Sequence, residues 1–130
     1  MAYHISTEEV RQKTRGMLQR ELYVVVTSPV DGKEDLLNEV TPAHLDHQVR
    51  MEREGHMVAA GPLLSEDSES FDGTGMFVLR AASIDAARAL CDEDPMHASG
   101  ARTYTIRPWM VNEGGVTVRV TFSDQRGEFT

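Results

Sequence analysis

Leu22-Tyr23-Val24-Val25-Val26-Thr27 is the stretch on which the fold turns. It is β-branched and aromatic throughout and stops at Ser28-Pro29, as a strand does. Its nearly unbroken apolar character calls for cover on both faces, which places it in the middle of a sheet. Working outward, Asp31-Gly32-Lys33 reads as a turn, and Thr41-Pro42 reads as a helix start: threonine caps, and proline at the first helical position loses an N–H that is spare there. Gly55 supplies the stop. Within that helix Leu45 and Val49 share one face, and His44, Gln48 and Met51 share the neighbouring one.

Met57-Val58-Ala59-Ala60 reads as a short strand that bends at Gly61-Pro62-Leu63-Leu64. Residues 65–74 are acidic, Ser-rich and poor in apolar side chains, and predict a mobile loop. Met76-Phe77-Val78-Leu79 is a third strand. Ser83 caps a second helix carrying Ile84, Ala87, Leu90 and Cys91 at helical spacing, and Asp94-Pro95 ends it. Thr103 to Arg107 is a fourth strand, closed by Pro108-Trp109. Beyond Gly114-Gly115, Val116, Val118, Val120 and Phe122 alternate with polar residues, the pattern of a half-buried strand, before a polar tail from Ser123. In front of all this, Ser6-Thr7-Glu8-Glu9 matches a capping box for an appended helix with Val10, Met17 and Leu18 on its sparse apolar face.

The order is β-α-β-β-α-β, the split pattern of a ferredoxin-like α+β domain: a four-stranded antiparallel sheet with both helices on one face. The boundaries divide into a helical extension over 1–20, the domain over 21–110, and a C-terminal strand and tail over 111–130. The sheet's other face carries apolar residues too, so a second copy should cover it, giving a homodimer.

Composition removes whole classes of function. In 130 residues, 40% hydrophobic and 26% charged, the longest apolar run is strand-sized, so no membrane crossing is expected. With 21 acids against 13 bases the formal charge is −8, and scattered Lys and Arg offer no surface for nucleic acid. The N-terminus lacks the features of a secretory leader, and the one cysteine, Cys91, rules out an internal disulfide, so a cytoplasmic setting is expected. The histidines 44, 47, 56 and 97 form no recognised ligand spacing, and phosphate-cradling and esterase loops are missing. Neither a metal nor a cofactor is expected.

Pro42-Ala43-His44-Leu45, Glu54-Gly55 running on to Ala60-Gly61-Pro62-Leu63, Asp94-Pro95 with Gly100, and Arg107-Pro108-Trp109 together resemble the YCII-related (YciI-like) family across Leu22 to Trp109. The resemblance implies ferredoxin-like protomers paired as a dimeric α/β barrel, and a polar site on a histidine and an aspartate, carried here by His44 and Asp94. Most members have no known activity, while some relatives, and more distant dimeric barrels, act on small ring compounds by elimination or isomerisation. Two positions depart from the family pattern: Thr41 stands where arginine is common, and Met96 where an aromatic residue is usual.

His44 is the candidate general base or acid, because an imidazole exchanges a proton near neutrality and its place in the first helical turn would favour the neutral form. Asp94 would orient it, as a carboxylate orients the histidine of a hydrolase triad. Set against this, Asp94-Pro95 also reads simply as a helix stop. In this topology the start of one helix and the end of the other lie apart by default, so the pair would need an offset helix or an aspartate from a partner chain. Gly61, Pro62, Leu63 and Met96 are the candidate pocket wall around a small-molecule ligand. A non-catalytic ligand-binding or regulatory module is the alternative, and assembly beyond the dimer stays open.

Overall fold

The computed structural model describes residues 2–129. In chain order the elements are α1 (Thr7–Lys13), β1 (Arg20–Pro29), α2 (Glu34–Arg53), β2 (Met57–Leu64), β3 (Phe71–Leu79), α3 (Ile84–Glu93), α4 (Pro95–Ala98), β4 (Arg102–Val111), β5 (Val118–Val120) and β6 (Gly127–Phe129). The chain divides into two compact units, one over Glu21–Trp109 and one formed by the segments on either side of it.

The larger unit is the α+β ferredoxin-like domain. Its sheet has the order β2-β3-β1-β4, with β1 and β3 central and antiparallel in a register that sets Val25 opposite Phe77 and Tyr23 opposite Leu79. Those four side chains lie on the helix-covered face, in a core with Met51 of α2, Ala87 and Cys91 of α3, and Ile106 of β4. Each large apolar side chain buried this way stabilises the fold by about 1.5–3 kcal/mol. The alternate residues Val24, Val26, Met76 and Val78 fall on the opposite face.

Helix α2 departs most from expectation. It starts at Glu34, so Thr41 and Pro42 lie inside it. Pro42 forfeits the N–H that would bond the Asn38 carbonyl, yet a 20-residue helix tolerates this loss when its buried face is well packed. Thr41 turns its hydroxyl back to the Leu37 carbonyl at 2.6 Å instead of capping. Acidic Glu34 and Asp35 occupy the true first turn, where the helix dipole favours them.

Three other expectations are corrected. Gly61-Pro62 does not bend the chain: both pair with β3, opposite Met76 and Gly75, and β2 runs on to Leu64. Because β2 is an edge strand, the missing Pro62 N–H is affordable. The expected loop over 65–74 is a tight turn followed by strand. Ser65 and Asp67 side chains and the Ser65 N–H close the turn through Ser70, and Phe71 already belongs to β3. On the other edge, β4 continues through Pro108 and Trp109 to Val111 instead of closing there. The α3 cap is as read, with Ser83 Oγ accepting from Ala86 N–H, and Asp94 both ends α3 and caps the short α4.

In the smaller unit, Ser6 caps α1 as the capping box implies, but the helix ends at Lys13, leaving Met17 and Leu18 outside it and exposed. The alternating stretch from Val116 does not join the main sheet. Only Val118–Val120 is strand, and it pairs with β6, which forms from the polar tail. Val116, Val118, Val120 and Phe122 are exposed, not half-buried.

Candidate active site

His44 and Asp94 meet within one chain. The His44 Nδ1 lies 2.9 Å from each carboxylate oxygen of Asp94. The early start of α2 explains this. His44 stands in the middle of the helix instead of its first turn, and α2 packs against α4 at that level. The same finding removes the dipole argument, since the positive end of α2 is several turns away. No aspartate from another chain is needed.

Asp94 is 1% exposed and fully engaged. Besides His44, it accepts from the Met96 N–H at 2.9 Å and from Gln48 Nε2 at 3.2 Å. Burial pushes its carboxyl upward. The hydrogen bonds from His44 and Met96, with the charges of His44 and His97, outweigh that and hold it below its ordinary 3.8. An ionised carboxylate can only accept, so the His44 Nδ1 carries the proton of that bond. Nε2 makes no hydrogen bond among the described residues and is the ring atom left to accept or deliver a proton.

His44 opens onto a cavity of about 470 Å³ between α2, α4 and the sheet. Its wall is largely apolar, built from Leu45, Ala60, Pro62, Phe71, Phe77 and Met96, with Gly61 and Gly75 among them. Of the wall residues named from sequence, Gly61, Pro62 and Met96 line it. Leu63 is not among the lining residues and is 43% exposed.

Sequence reading missed the far polar wall. There His97 donates from Nδ1 to the Cys91 carbonyl at 2.8 Å, which leaves Nε2 to accept from the Thr27 hydroxyl at 2.9 Å. Arg102 then donates from Nε to Thr27 Oγ1 at 3.0 Å and from Nη2 to the carbonyls of Thr27 and Gly73. Burial, chiefly, lowers the His97 pKa below 6.5, which suits a neutral ring that accepts. Gln48 was the legible member, four residues from His44 on one helix face. Thr27 and Arg102 stand 75 positions apart, a contact with no local signature.

Fold and site together define a class: a ferredoxin-like domain carrying a half-buried histidine paired with a buried carboxylate in an apolar cleft. The YCII-related domain model matches residues 22–110, and the chain belongs to that family. Among curated proteins, none matches it in sequence. Among solved structures it is similar to the 5-chloro-2-hydroxyhydroquinone dehydrochlorinase TftG of Burkholderia phenoliruptrix AC1100, in complex with 2,5-dihydroxybenzoquinone. The TM-score is 0.58 at 16% identity, covering 68% of this chain and 92% of that one. At that identity the likeness concerns the fold. No helix among the described residues is long and apolar enough to cross a membrane.

Proposed function

We propose that this protein is a cofactor-independent enzyme of the lyase or isomerase type that acts on a small cyclic compound by proton transfer through His44. The observation that carries this reading is the pairing of His44 Nδ1 with a buried, ionised Asp94, beside a cavity of about 470 Å³. That volume falls in the range of small-molecule sites, and the apolar walls suit a ring better than a flexible polar chain. With Nδ1 held, Nε2 takes a proton from a carbon or hydroxyl of the ring. The electron pair released then expels a leaving group, or reprotonation at another atom completes an isomerisation. Asp94 steadies the imidazolium formed in between. The ring chemistry of the similar dehydrochlorinase supports this choice of substrate class.

The test is solvent deuterium uptake and product formation, followed by NMR, with a panel of hydroxylated and chlorinated hydroquinones that includes 5-chloro-2-hydroxyhydroquinone. The wild-type protein incorporates deuterium or releases chloride, and His44→Ala does neither while still unfolding cooperatively, at a melting temperature lowered by the lost bond to Asp94. Wild-type rates from His44→Ala would remove the role given to His44. A ligand such as 2,5-dihydroxybenzoquinone that binds and stabilises, with no ring compound in the panel ever transformed, would favour the binding-module alternative.

We further infer a homodimer in a cytoplasmic setting. The apolar stripe Val24, Val26 and Met76 on the face opposite the helices supports the dimer, and the free, buried Cys91 suits a reducing compartment. Sedimentation at micromolar concentration should give twice the chain mass, and Val24→Asp should lower it.

A further inference from the structure

The polar wall of Thr27, His97 and Arg102 holds a charge that nothing among the described residues offsets by contact. Arg102 is the only lysine or arginine among the described residues lining the cavity, and it is half-buried. Its partners are all neutral: the Thr27 hydroxyl, the Thr27 carbonyl and the Gly73 carbonyl. Among the described residues no carboxylate makes an ion pair with it, and the nearby Asp94 is already committed to His44, Gln48 and Met96. A guanidinium drawn out of water without a counter-charge is costly, and burial works against its charged form here.

The anchoring is also specific in its geometry. Nε and Nη2 are both engaged on the sheet side, while Nη1 makes no hydrogen bond among the described residues. The carbonyl that receives Nη2 belongs to Gly73, whose φ of +95° sets the local backbone, and a Cβ there would lie 2.6 Å from Pro29 Cγ. His97, held neutral, fixes the Thr27 hydroxyl on which Nε rests. The fork is therefore held at one end and free at the other, the arrangement that suits an anionic oxygen.

We propose that Arg102 is the anion-binding residue of this cavity, and that its ring ligand carries an ionised oxygen, a phenolate, an enolate or a ring carboxylate. This rests on the reading of the cavity as a site for small cyclic compounds and narrows it. The same contact would stabilise negative charge spreading onto a conjugated oxygen when His44 removes a proton. A charge-assisted hydrogen bond lost from such a site corresponds to roughly a tenfold to hundredfold loss of affinity.

The probes are 2,5-dihydroxybenzoquinone, ionised at neutral pH because each hydroxyl is a vinylogous acid, and its neutral dimethyl ether. Binding is measured by calorimetry. The wild-type protein should prefer the ionised ligand by about tenfold or more, and Arg102→Gln should abolish the preference, read as the ratio of the two affinities within each protein. Arg102→Lys should keep part of it, and added salt should reduce it in the wild type. A wild-type protein that binds both alike or neither, or an Arg102→Gln that keeps the preference, overturns the proposal. Should Arg102→Gln melt below the assay temperature, the wild-type pair and Arg102→Lys still decide it. Failure of the proton-transfer reading looks different: His44→Ala would keep both the preference and full turnover.

Discussion

Replacing Asp94 by asparagine removes one charge and almost no volume, and its cost can be worked out contact by contact. The carboxylate accepts from three donors, the His44 ring N–H, the Gln48 amide and the Met96 backbone N–H. The cap on α4 needs an oxygen opposite Met96 N–H, so the new amide nitrogen falls in the place of Oδ2, facing Gln48 and His44. Gln48 recovers by turning its amide over, since its Oε1 is buried and without a partner. His44 Nδ1–H keeps Oδ1 within reach but now faces an amide N–H 2.9 Å away, a donor–donor clash relieved by moving its proton from Nδ1 to Nε2, which ends its service as a base on the cavity side. One charge-assisted hydrogen bond is then lost, about 1.5–3 kcal/mol of stability. Catalysis should fall about 10²–10⁴-fold, the usual worth of a positioned general base. The pH dependence follows from the lowered carboxyl of Asp94. Its stabilisation is fully present above the unfolded value of 3.8 and is lost as the pH falls through the depressed folded value. The stability gap between wild type and Asp94→Asn, read from urea melts, should be widest near neutrality and close in acid. A pH-independent gap with wild-type turnover would refute the reasoning.

Other consequences are quicker to state. His97 has a folded pKa below 6.5, so its contribution is complete above that pH and is lost as the pH falls through the folded value. The melting temperature of the wild type should drop across that window, and His97→Gln should flatten the curve; parallel curves would count against a neutral His97. Gly73→Ala should destabilise by about 1–3 kcal/mol in urea melts, because alanine must adopt φ +95° and meet Pro29, and an unchanged midpoint would contradict the packing there. The Cys91 thiol, pushed up to about 12 chiefly by burial, should resist iodoacetamide in the native protein and react once it is unfolded. Leu63→Ala should leave ligand binding unchanged, whereas Met96→Ala, which enlarges the cavity, should weaken it, with calorimetry as the check.

The central strands were legible because an apolar β-branched run such as Leu22 to Val26 has few other uses. Element ends were not. Pro42 fits a helix start so well that it hides the first two turns of α2, although packing of α2 carries the helix through. The serines and acids of 65–70 belong to a self-bonded turn, and their polarity hid the first half of β3. Alternation from Val116 signals a strand but not its partner, and β6 supplied one that composition had marked as tail. Within the site, His44 and Asp94 could be named from sequence, whereas their contact followed only from where α2 begins. Arg102 was invisible as a site residue because its meaning depends on Thr27 and Gly73, both far away along the chain.

Proton transfer at this site depends on the tautomer of the His44 ring. Long-range ¹H–¹⁵N correlation spectra of the full-length protein, labelled at histidine and assigned through His44→Ala, read it directly. At mildly alkaline pH, His44 should show a protonated Nδ1 and a bare Nε2, and Asp94→Asn should reverse them. A wild-type His44 already protonated at Nε2 would contradict the assignment of that nitrogen as the base.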